Sequence, residues 1–383
     1  MNRIKQATAI CKTFGEGQKI IAAVLELEEP VKEKDLPEYK VKERTITKTY
    51  INTCGEIGRQ EETGQYVVLE LDPADKAAST RYMIGEGREA RMGIHIPELE
   101  ITDVLSDSKI QSTGIKDELL HQFQCNCFHV DDGEKYLNYH LFIPHMEEGK
   151  KYPLVLFMHD LGSCSDHLLA PLTQGNGATV WAEKDQQEKR PCFIVAPCYS
   201  RMTANDAYEV TWEVDATIQL IQNLCEMYAI DKKRIYGTGQ SMGCMMLCEM
   251  NLRYPEIFAG SYLVAGQWEP EHMKRAKKQN LWAIVAEKDD KAFPIMGACF
   301  DNMERNGEKV IRGHADAGLP VDEQDRIFTK IKEEDSHLYF TWFDGKSVLP
   351  KGTEGSGGQC HMNTWIHAYK LETPKEWMFS CKK

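Results

Sequence analysis

One serine of this sequence lies in a short glycine-containing pattern that is typical of catalytic nucleophiles. Ser241 lies in the pentapeptide Gly239–Gly243, which follows a short apolar run, Arg234–Gly237, and precedes a segment of helical composition. In the pattern G-x-S-x-G between a strand and a helix, the glycines let the two elements approach closely and the serine occupies a tight, strained turn. The pattern therefore predicts that Ser241 is a nucleophile rather than an ordinary serine that caps a helix.

A serine hydroxyl needs a general base before it can attack at neutral pH, and histidine is the usual base. His361 follows a glycine-rich run, Gly355–Cys360, after the last predicted strand, where a flexible loop can reach back over the serine. His367 lies further along the chain in a predicted helix, and we interpret it as a packed or solvated residue. His361 is therefore the predicted general base.

The third partner in such chemistry is a carboxylate that orients the imidazole. The predicted strand Trp282–Ala286 ends in a loop that contains Asp289 and Asp290. A residue just beyond the carboxyl end of a strand lies at the edge of an open α/β sheet where ligand sites form. We predict Asp289 as the orienting carboxylate, with Asp290 as its close rival.

Backbone amides that bind a developing oxyanion are usually the largest electrostatic contribution to acyl transfer. One donor is expected to be Met242, the residue after the nucleophile. The other is expected in His159–Gly162, the loop after the predicted strand Leu154–Met158. Leu161 is the predicted second donor, and His159 is interpreted as a residue that shapes this loop.

Three further residues are predicted to contact a substrate. Gln240 directly precedes the nucleophile, and Trp268 follows the predicted strand Ser261–Val264 at the same edge of the sheet. Trp181 is a further candidate for an aromatic wall. Tryptophans of this kind more often pack in a hydrophobic core, so the acyl and alcohol specificity of the site stays open.

The elements that must position these residues alternate from about residue 117 onward. Apolar runs of strand length alternate with segments of helical periodicity, which favours a mainly parallel sheet with helices on both faces. One such segment places five apolar residues on a single helix face: Val214, Ile218, Ile221, Leu224 and Tyr228. The six predicted strands are 154–158, 192–196, 234–237, 261–264, 282–286 and 338–342.

Residues 1–110 have a different pattern. Three short runs are rich in β-branched and aromatic residues and are separated by turns with glycine, proline or aspartate: 19–27, 44–51 and 65–71. This spacing predicts a small all-β sandwich of the immunoglobulin-like kind. Polar residues at 106–116 predict a linker, so the domains are expected at 1–110 and 117–383. The first domain contains no group of residues that could act together as a catalytic acid and base. We expect it to support the second domain without performing chemistry.

The amino-acid composition and the net charge disfavour several other classes of protein. The 383 residues are 42% hydrophobic and 27% charged, as in ordinary globular proteins. The formal net charge of −13 comes without a basic stripe, so no nucleic-acid partner is predicted. The 13 cysteines are scattered, and Cys125 and Cys127 lack a second pair at zinc-finger spacing, so reduced thiols, no metal and no other cofactor are predicted.

No apolar run is long enough to span a membrane, and the chain as given starts without a signal peptide. We therefore expect no membrane partner and a cytoplasmic location. A secreted form whose leader has been removed would have the same sequence.

These residues together resemble those of bacterial α/β-hydrolase esterases that carry an N-terminal immunoglobulin-like domain, within a group related to feruloyl esterases and polyhydroxybutyrate depolymerases. The resemblance covers nearly the whole chain and depends on four motifs: Tyr152–Phe157, His159–Gly162, Gly239–Gly243 and His361–Tyr369. Asp160 and Cys244 stand where such proteins usually have glycine, and an Asp160 carboxylate that pointed inward would repel an oxyanion. The resemblance implies an α/β-hydrolase fold after an immunoglobulin-like sandwich, and ester hydrolysis without a cofactor.

The expected partner is a small-molecule ester, either a short-chain acyl ester or an aromatic, feruloyl-type ester.

Two other functions stay open. A serine peptidase of the prolyl-oligopeptidase type shares the fold and the order of the three residues, but the repeats of its usual propeller domain are not visible. A binding or scaffold protein with an inactive hydrolase domain would be free to lose any of the three residues. A homo-oligomer is compatible with the sequence, which does not predict the oligomeric state.

Overall fold

The computed structural model describes residues 4–85, 91–95, 98–130 and 133–383. The chain divides into two compact units. The first comprises Met1–Ile84 and Gly93–His121, and the second comprises Gly85–Met92 and Gln122–Lys383. Every residue predicted above to take part in chemistry lies in the second unit.

The strands of the N-terminal part are β1 (Ile4–Phe14), β2 (Gly17–Lys32), β3 (Tyr39–Val41), β4 (Ile46–Asn52), β5 (Thr63–Leu71), β6 (Arg81–Ile84), β7 (Arg91–Ile94), β8 (Glu100–Asp103), β9 (Ser108–Gln111) and β10 (Gly114–Lys116). A five-stranded sheet has the order β10-β1-β2-β5-β4, and a three-stranded sheet has the order β3-β8-β9. Inner residues of both sheets, among them Leu25, Val67 and Ile101, share one hydrophobic core. Alternate residues of each strand point to this core, which gives the predicted all-β sandwich.

Residues 106–116, which were predicted to form a linker, instead carry two strands of the first unit. β10 pairs in parallel with β1 at the edge of the five-stranded sheet. Beyond it, the buried Asp117 carboxylate accepts a hydrogen bond of 2.8 Å from Gln18. The polar composition of this segment reflects strands whose side chains are partly or fully exposed, not a connection between domains.

The second unit contains a nine-stranded sheet. Its strands are β11 (Phe123–Val130), β12 (Lys135–Phe142), β13 (Tyr152–Met158), β14 (Phe193–Cys198), β15 (Ile230–Gln240), β16 (Gly260–Val264), β17 (Leu281–Ala286), β18 (Val310–Ala315) and β19 (Leu338–Phe343). Their order is β11-β12-β14-β13-β15-β16-β17-β19-β18. β12 is antiparallel to both β11 and β14, and all other neighbouring strands are parallel.

The helices are α1 (Ala170–Thr173), α2 (Lys184–Lys189), α3 (Glu213–Met227), α4 (Met242–Arg253), α5 (Pro270–Met273), α6 (Ala292–Arg305), α7 (Val321–Lys332), α8 (Gly357–Ala368) and α9 (Thr373–Ser380). The predicted apolar face of α3 is buried at Val214, Ile218, Ile221 and Leu224. Each fully buried side chain of this size contributes about 1.5–3 kcal/mol. This mainly parallel sheet with its helices is the predicted α/β-hydrolase fold.

The six predicted strands correspond to β13–β17 and β19, while β11, β12 and β18 were not predicted. The predicted strands are continuous apolar runs because both of their faces are covered. β18 lies at an edge of the sheet and includes the partly exposed Arg312 and the exposed His314, so its pattern is not apolar throughout. β11 lies at the other edge and is exposed at Gln124, Cys125, Cys127 and His129.

The parallel register brings several loops to one edge of the sheet. Gln240 at the end of β15 pairs with Val264 at the end of β16, which in turn pairs with Ile284 of β17. Ala286 at the end of β17 pairs with Phe343 at the end of β19. The loops after β15, β16, β17 and β19 therefore all begin along one edge, the carboxyl edge where sites form in such sheets.

Candidate active site

The turn between β15 and α4 holds Ser241 in a strained conformation. Its φ of 52° and ψ of −116° lie in a region that side-chain-bearing residues rarely adopt. The Ser241 amide donates to the Val264 carbonyl at 3.1 Å, which anchors the turn to the neighbouring strand. A Cβ atom at Gly239 would lie 2.6 Å from the Gly243 backbone, and one at Gly243 would lie 2.1 Å from the Met158 carbonyl oxygen. Both glycines are therefore required for the close approach of strand and helix.

Three predicted residues from separate segments form one hydrogen-bonded chain. The Ser241 Oγ lies 2.8 Å from the His361 Nε2, and the His361 Nδ1 lies 2.5 Å from the Asp289 Oδ2. A carboxylate only accepts hydrogen bonds, so the proton of the neutral imidazole is on Nδ1. The His361 Nε2 is then the acceptor for the serine hydroxyl, as required of a general base.

Asp289 is held by the start of α6 as well as by the imidazole. Its Oδ1 accepts hydrogen bonds from the backbone amides of Lys291 at 3.1 Å and Ala292 at 2.9 Å. Burial by itself would raise the pKa of Asp289, but hydrogen bonding to His361 and to these amides outweighs it, and the pKa lies below the ordinary aspartate value. Asp289 is therefore an ionised carboxylate, fixed in orientation, at neutral pH.

His361 lies on α8 and not on a flexible loop as the glycine-rich sequence predicted. The helix begins at Gly357 because Ser356 forms a capping box with Gln359, in which each side chain bonds the other residue's backbone amide. The Trp365 ring meets the imidazole edge-to-face, with 5.5 Å between ring centroids. Two of the glycines, Gly357 and Gly358, thus lie within the helix itself, and the helix fixes the imidazole.

The two rival residues make other contacts. The His367 Nε2 bonds the Val348 carbonyl at 3.1 Å. The exposed Asp290 carboxylate lies against Gly357, where a Cβ atom would be 1.9 Å from its Oδ2. Of the two neighbouring aspartates, Asp289 is the one within hydrogen-bond distance of His361.

The two predicted oxyanion donors lie at helix starts. Met242 is the first residue of α4, and Leu161 is the first residue of a short 3-10 helix, Leu161–Ser163, that follows β13. Amides in the first turn of a helix have no partner within the helix and can bind an anion. These positions are compatible with the predicted roles, which stay predictions.

Trp181 and Trp268 are core residues, so the prediction that they line a substrate cleft is wrong. Both are almost completely buried. The Trp268 Nε1 donates to Glu249 at 3.0 Å, and the Trp181 Nε1 donates to the Gly177 carbonyl at 2.9 Å. Both large apolar rings are buried with the indole N–H bonded internally, although Trp268 follows a strand that ends at the carboxyl edge.

Gln240 is also buried, and its amide is engaged within the protein. Its Nε2 donates to the Asp160 Oδ2 at 3.1 Å and to the Gln174 Oε1 at 3.2 Å. This contact of Gln174 was not predicted, because nothing near Gln174 in the sequence indicates that the end of α1 lies against Gln240. Gln240 is therefore a structural neighbour of the serine, with its side chain directed away from bulk solvent.

His159 has the loop-shaping position that was predicted for it. It is fully buried, and burial lowers its pKa, so it is neutral. Its Nε2 accepts from the Tyr199 amide at 3.0 Å, and its Nδ1 donates to the Asp160 carbonyl at 2.8 Å. One neutral imidazole thus joins the loops after β13 and β14.

Cys244, the second residue that departs from the usual glycine, is completely buried in α4. A Cβ atom at Gly266 would lie 2.5 Å from the Cys244 Sγ, so the thiol occupies the space that glycine leaves at position 266.

The 13 cysteines of the chain are all free. Among the described residues, no three histidine, cysteine or acidic side chains are grouped as metal ligands, and no helix is long and apolar enough to cross a membrane.

Comparisons with known proteins agree with this architecture. Residues 6–92 match the family model of the esterase Ig-like N-terminal domain. The crystal structure of a thermostable esterase superposes with a TM-score of 0.78 at 25% identity, covering 99% of this chain and 100% of that one. A poly(3-hydroxyalkanoate) depolymerase C from Paucimonas lemoignei is 32% identical over 69 residues, which are 18% of this chain and 17% of that protein.

The second unit is an α/β-hydrolase domain, as the sheet order and the whole-chain superposition indicate. The chain combines this domain with an esterase Ig-like N-terminal domain, the architecture of α/β-hydrolase esterases that carry an immunoglobulin-like domain.

Proposed function

We propose that the protein is a carboxylic ester hydrolase that uses Ser241 as its nucleophile. The observation that carries this proposal is the hydrogen-bonded chain from the Ser241 Oγ through His361 to Asp289, with the serine in a nucleophile elbow. The similarity of the whole chain to an esterase supports the class of reaction.

The proposed cycle has two displacements. The His361 Nε2 takes the hydroxyl proton as the Ser241 Oγ attacks the ester carbonyl carbon, and the amides of Met242 and Leu161 bind the oxyanion. His361 returns the proton to the departing alcohol, which leaves an acyl group on the serine. A water molecule then gives a proton to His361 as its oxygen attacks the acyl carbon, and His361 returns that proton to the Ser241 Oγ as the acid leaves. Asp289 keeps the imidazole in the required tautomer throughout.

The proposed substrates are short-chain acyl esters or aromatic, feruloyl-type esters. The burial of Trp181 and Trp268 removes two residues that would have favoured an aromatic acyl group. The similarity over 69 residues to a poly(3-hydroxyalkanoate) depolymerase adds hydroxyalkanoate esters as a class to test.

The test is a substrate panel applied to the wild-type protein and to Ser241→Ala. The panel contains p-nitrophenyl acetate and butyrate, methyl ferulate, a hydroxybutyrate oligomer and peptide p-nitroanilides. We expect turnover of one or more esters, and a loss on the order of 10⁴–10⁶-fold in the folded Ser241→Ala protein, because the residues of such a triad act as a unit. Turnover at the wild-type rate by that variant would end the proposal.

The same panel separates the alternatives. Faster turnover of peptide amides than of esters would favour the peptidase. A folded wild-type protein that hydrolyses no member of the panel and does not react with a fluorophosphonate would favour a binding or scaffold role.

A further inference from the structure

A partly buried carboxylate connects the nucleophile elbow to the loop after β13. The Asp160 Oδ2 accepts a hydrogen bond from the Gln240 Nε2 at 3.1 Å and lies 3.2 Å from the Ser163 Oγ. Gln240 directly precedes the nucleophile, and Ser163 belongs to the same short helix as Leu161. Asp160 therefore links the two segments that carry the proposed oxyanion donors.

Gln174 closes these contacts into a ring of four polar side chains. Its Oε1 accepts from the Gln240 Nε2 at 3.2 Å and from the Ser163 Oγ at 2.7 Å. Gln240 and Ser163 are each 1% exposed and Gln174 is 4% exposed. Hydrogen bonds are stronger in such a site than in water, and breaking one leaves a buried group unsatisfied. The ring therefore restricts the loop and the elbow to one relative arrangement.

The backbone at Asp160 is fixed independently of its side chain. The Asp160 carbonyl accepts from the His159 Nδ1, and the other ring nitrogen of His159 accepts from the Tyr199 amide. The Asp160 carbonyl is thus held by an imidazole that is itself fixed at its other nitrogen. Such double fixation is expected where a backbone donor must be placed to within a fraction of an ångström.

We propose that Asp160 is a positioning residue for the oxyanion hole, and that its bridge to Gln240 sets the separation of the Leu161 and Met242 amides. This inference rests on the proposed ester hydrolysis. The hydrogen bond from Gln240 explains how a carboxylate can stand where related proteins usually have glycine: its charge is directed to the Gln240 Nε2, which donates to it. The loss of the bridge would act through the amides, since Asp160 itself does not touch the substrate.

The bridge can be broken and then rebuilt with its polarity reversed. Gln240→Glu places two carboxylates against each other at a partly buried contact. Adding Asp160→Asn restores one donor and one acceptor, because the new amide at position 160 can donate to the new carboxylate at position 240. Gln174 can turn its amide to donate to both neighbours. Asp160→Asn alone is expected to be mild, since its amide oxygen can still accept from Gln240.

The readout is the ratio of kcat/KM for an ester to that for the matching thionoester. The sulfur of a thionoester is a weak hydrogen-bond acceptor, so the ratio reports on the oxyanion donors and a general loss of folded protein leaves it unchanged. We expect Gln240→Glu to lower the ester kcat by on the order of 10²-fold, comparable with the loss of one oxyanion donor, and to lower the ratio. The double variant should recover most of both.

Asn251→Asp is the matched control. It makes the same amide-to-acid change at a residue of α4 that is 2% exposed and bonds the Leu247 carbonyl and Ser261, away from the ring. It should lower the melting temperature and leave the ratio unchanged. An unchanged ratio in folded Gln240→Glu, or no recovery in the double variant, would overturn the proposal.

The rate at which a fluorophosphonate labels Ser241 gives a second readout that does not require turnover. Its phosphoryl oxygen occupies the position of the oxyanion, so the labelling rates of the variants should follow the same order as their ester kcat values. A wild-type protein that is labelled but turns over no tested ester would overturn the proposed substrates while the labelling rates still decide the role of Asp160. A wild-type protein that is not labelled would overturn both proposals.

Discussion

The neighbouring carboxylates Asp289 and Asp290 differ sharply in environment. Asp289 is buried and bonded to His361, whereas Asp290 is exposed. We expect Asp289→Asn to lower kcat/KM by on the order of 10³–10⁴-fold, because an amide stabilises the wrong imidazole tautomer. Asp290→Asn should change it less than about threefold. Kinetics on the best ester of the panel test this, and the opposite ranking would transfer the role to Asp290.

Asp289 should also make the stability of the protein depend on pH. Its folded-state pKa is lower than its unfolded-state value, so its ionised form stabilises the folded state above the unfolded pKa of about 3.9. That contribution is lost as the pH falls through the folded pKa. The difference in free energy of unfolding between wild type and Asp289→Asn should therefore narrow below about pH 4. Urea titrations at pH 6, 5, 4 and 3 measure it, and a difference that widens towards acid contradicts the expectation.

The two histidines of α8 provide a matched pair of alanine variants. His361→Ala should be as damaging to kcat as Ser241→Ala, because the serine then has no proton acceptor. His367→Ala removes a hydrogen bond to the Val348 carbonyl and should cost about 0.5–1.5 kcal/mol of stability with little change in kcat. Steady-state kinetics together with melting curves separate the two effects. Loss of activity in His367→Ala with an active His361→Ala protein would reverse the assignment.

At the scale of elements, the site depends on how closely α4 approaches β13. In Gly243→Ala the new methyl group would meet the Met158 carbonyl oxygen at 2.1 Å, so helix or strand must move. We expect a loss of about 1–3 kcal/mol or more in stability, and a lower kcat because the helix start carries Met242.

Gly297→Ala in α6 is the control for that variant. Its nearest new contacts are ring atoms of Phe340 at 3.6 Å, an ordinary van der Waals distance. Replacement of a helical glycine by alanine should then be neutral or stabilising by up to about 1 kcal/mol. Equal melting temperatures and equal kcat values for the two variants would mean that the close approach is not required.

At the scale of the whole molecule, the extent of the first unit can be tested with fragments. A fragment of residues 1–121 retains β10 and the buried Asp117–Gln18 hydrogen bond, whereas a fragment of residues 1–110 lacks both. The shorter fragment leaves the edge of β1 unpaired, and an unpaired edge promotes aggregation. We expect 1–121 to be more soluble and to melt at a higher temperature. Equal behaviour by light scattering and circular dichroism would argue that β10 is dispensable to this unit.

Local spacing alone predicted much of the second unit. The glycines around Ser241 encode a turn, and continuous apolar runs encode strands covered on both faces, because these patterns depend on neighbours in the chain. The alternation of these strands with helices predicted a parallel sheet, and the order of residues along the chain predicted which histidine and which loop would lie near the serine.

Contacts between distant segments were decided by the tertiary structure alone. The two adjacent aspartates, Asp289 and Asp290, have nearly the same local sequence. Which of them bonds His361 depends on how the start of α6 is placed relative to α8. The sequence also suggested that Trp181 and Trp268 line a cleft. In the structure both rings are packed in the core, and their N–H groups donate to partners within the protein. The ring around Asp160 joins residues from three separate segments. Local sequence patterns predict backbone conformation, whereas side-chain partners depend on where the rest of the chain lies.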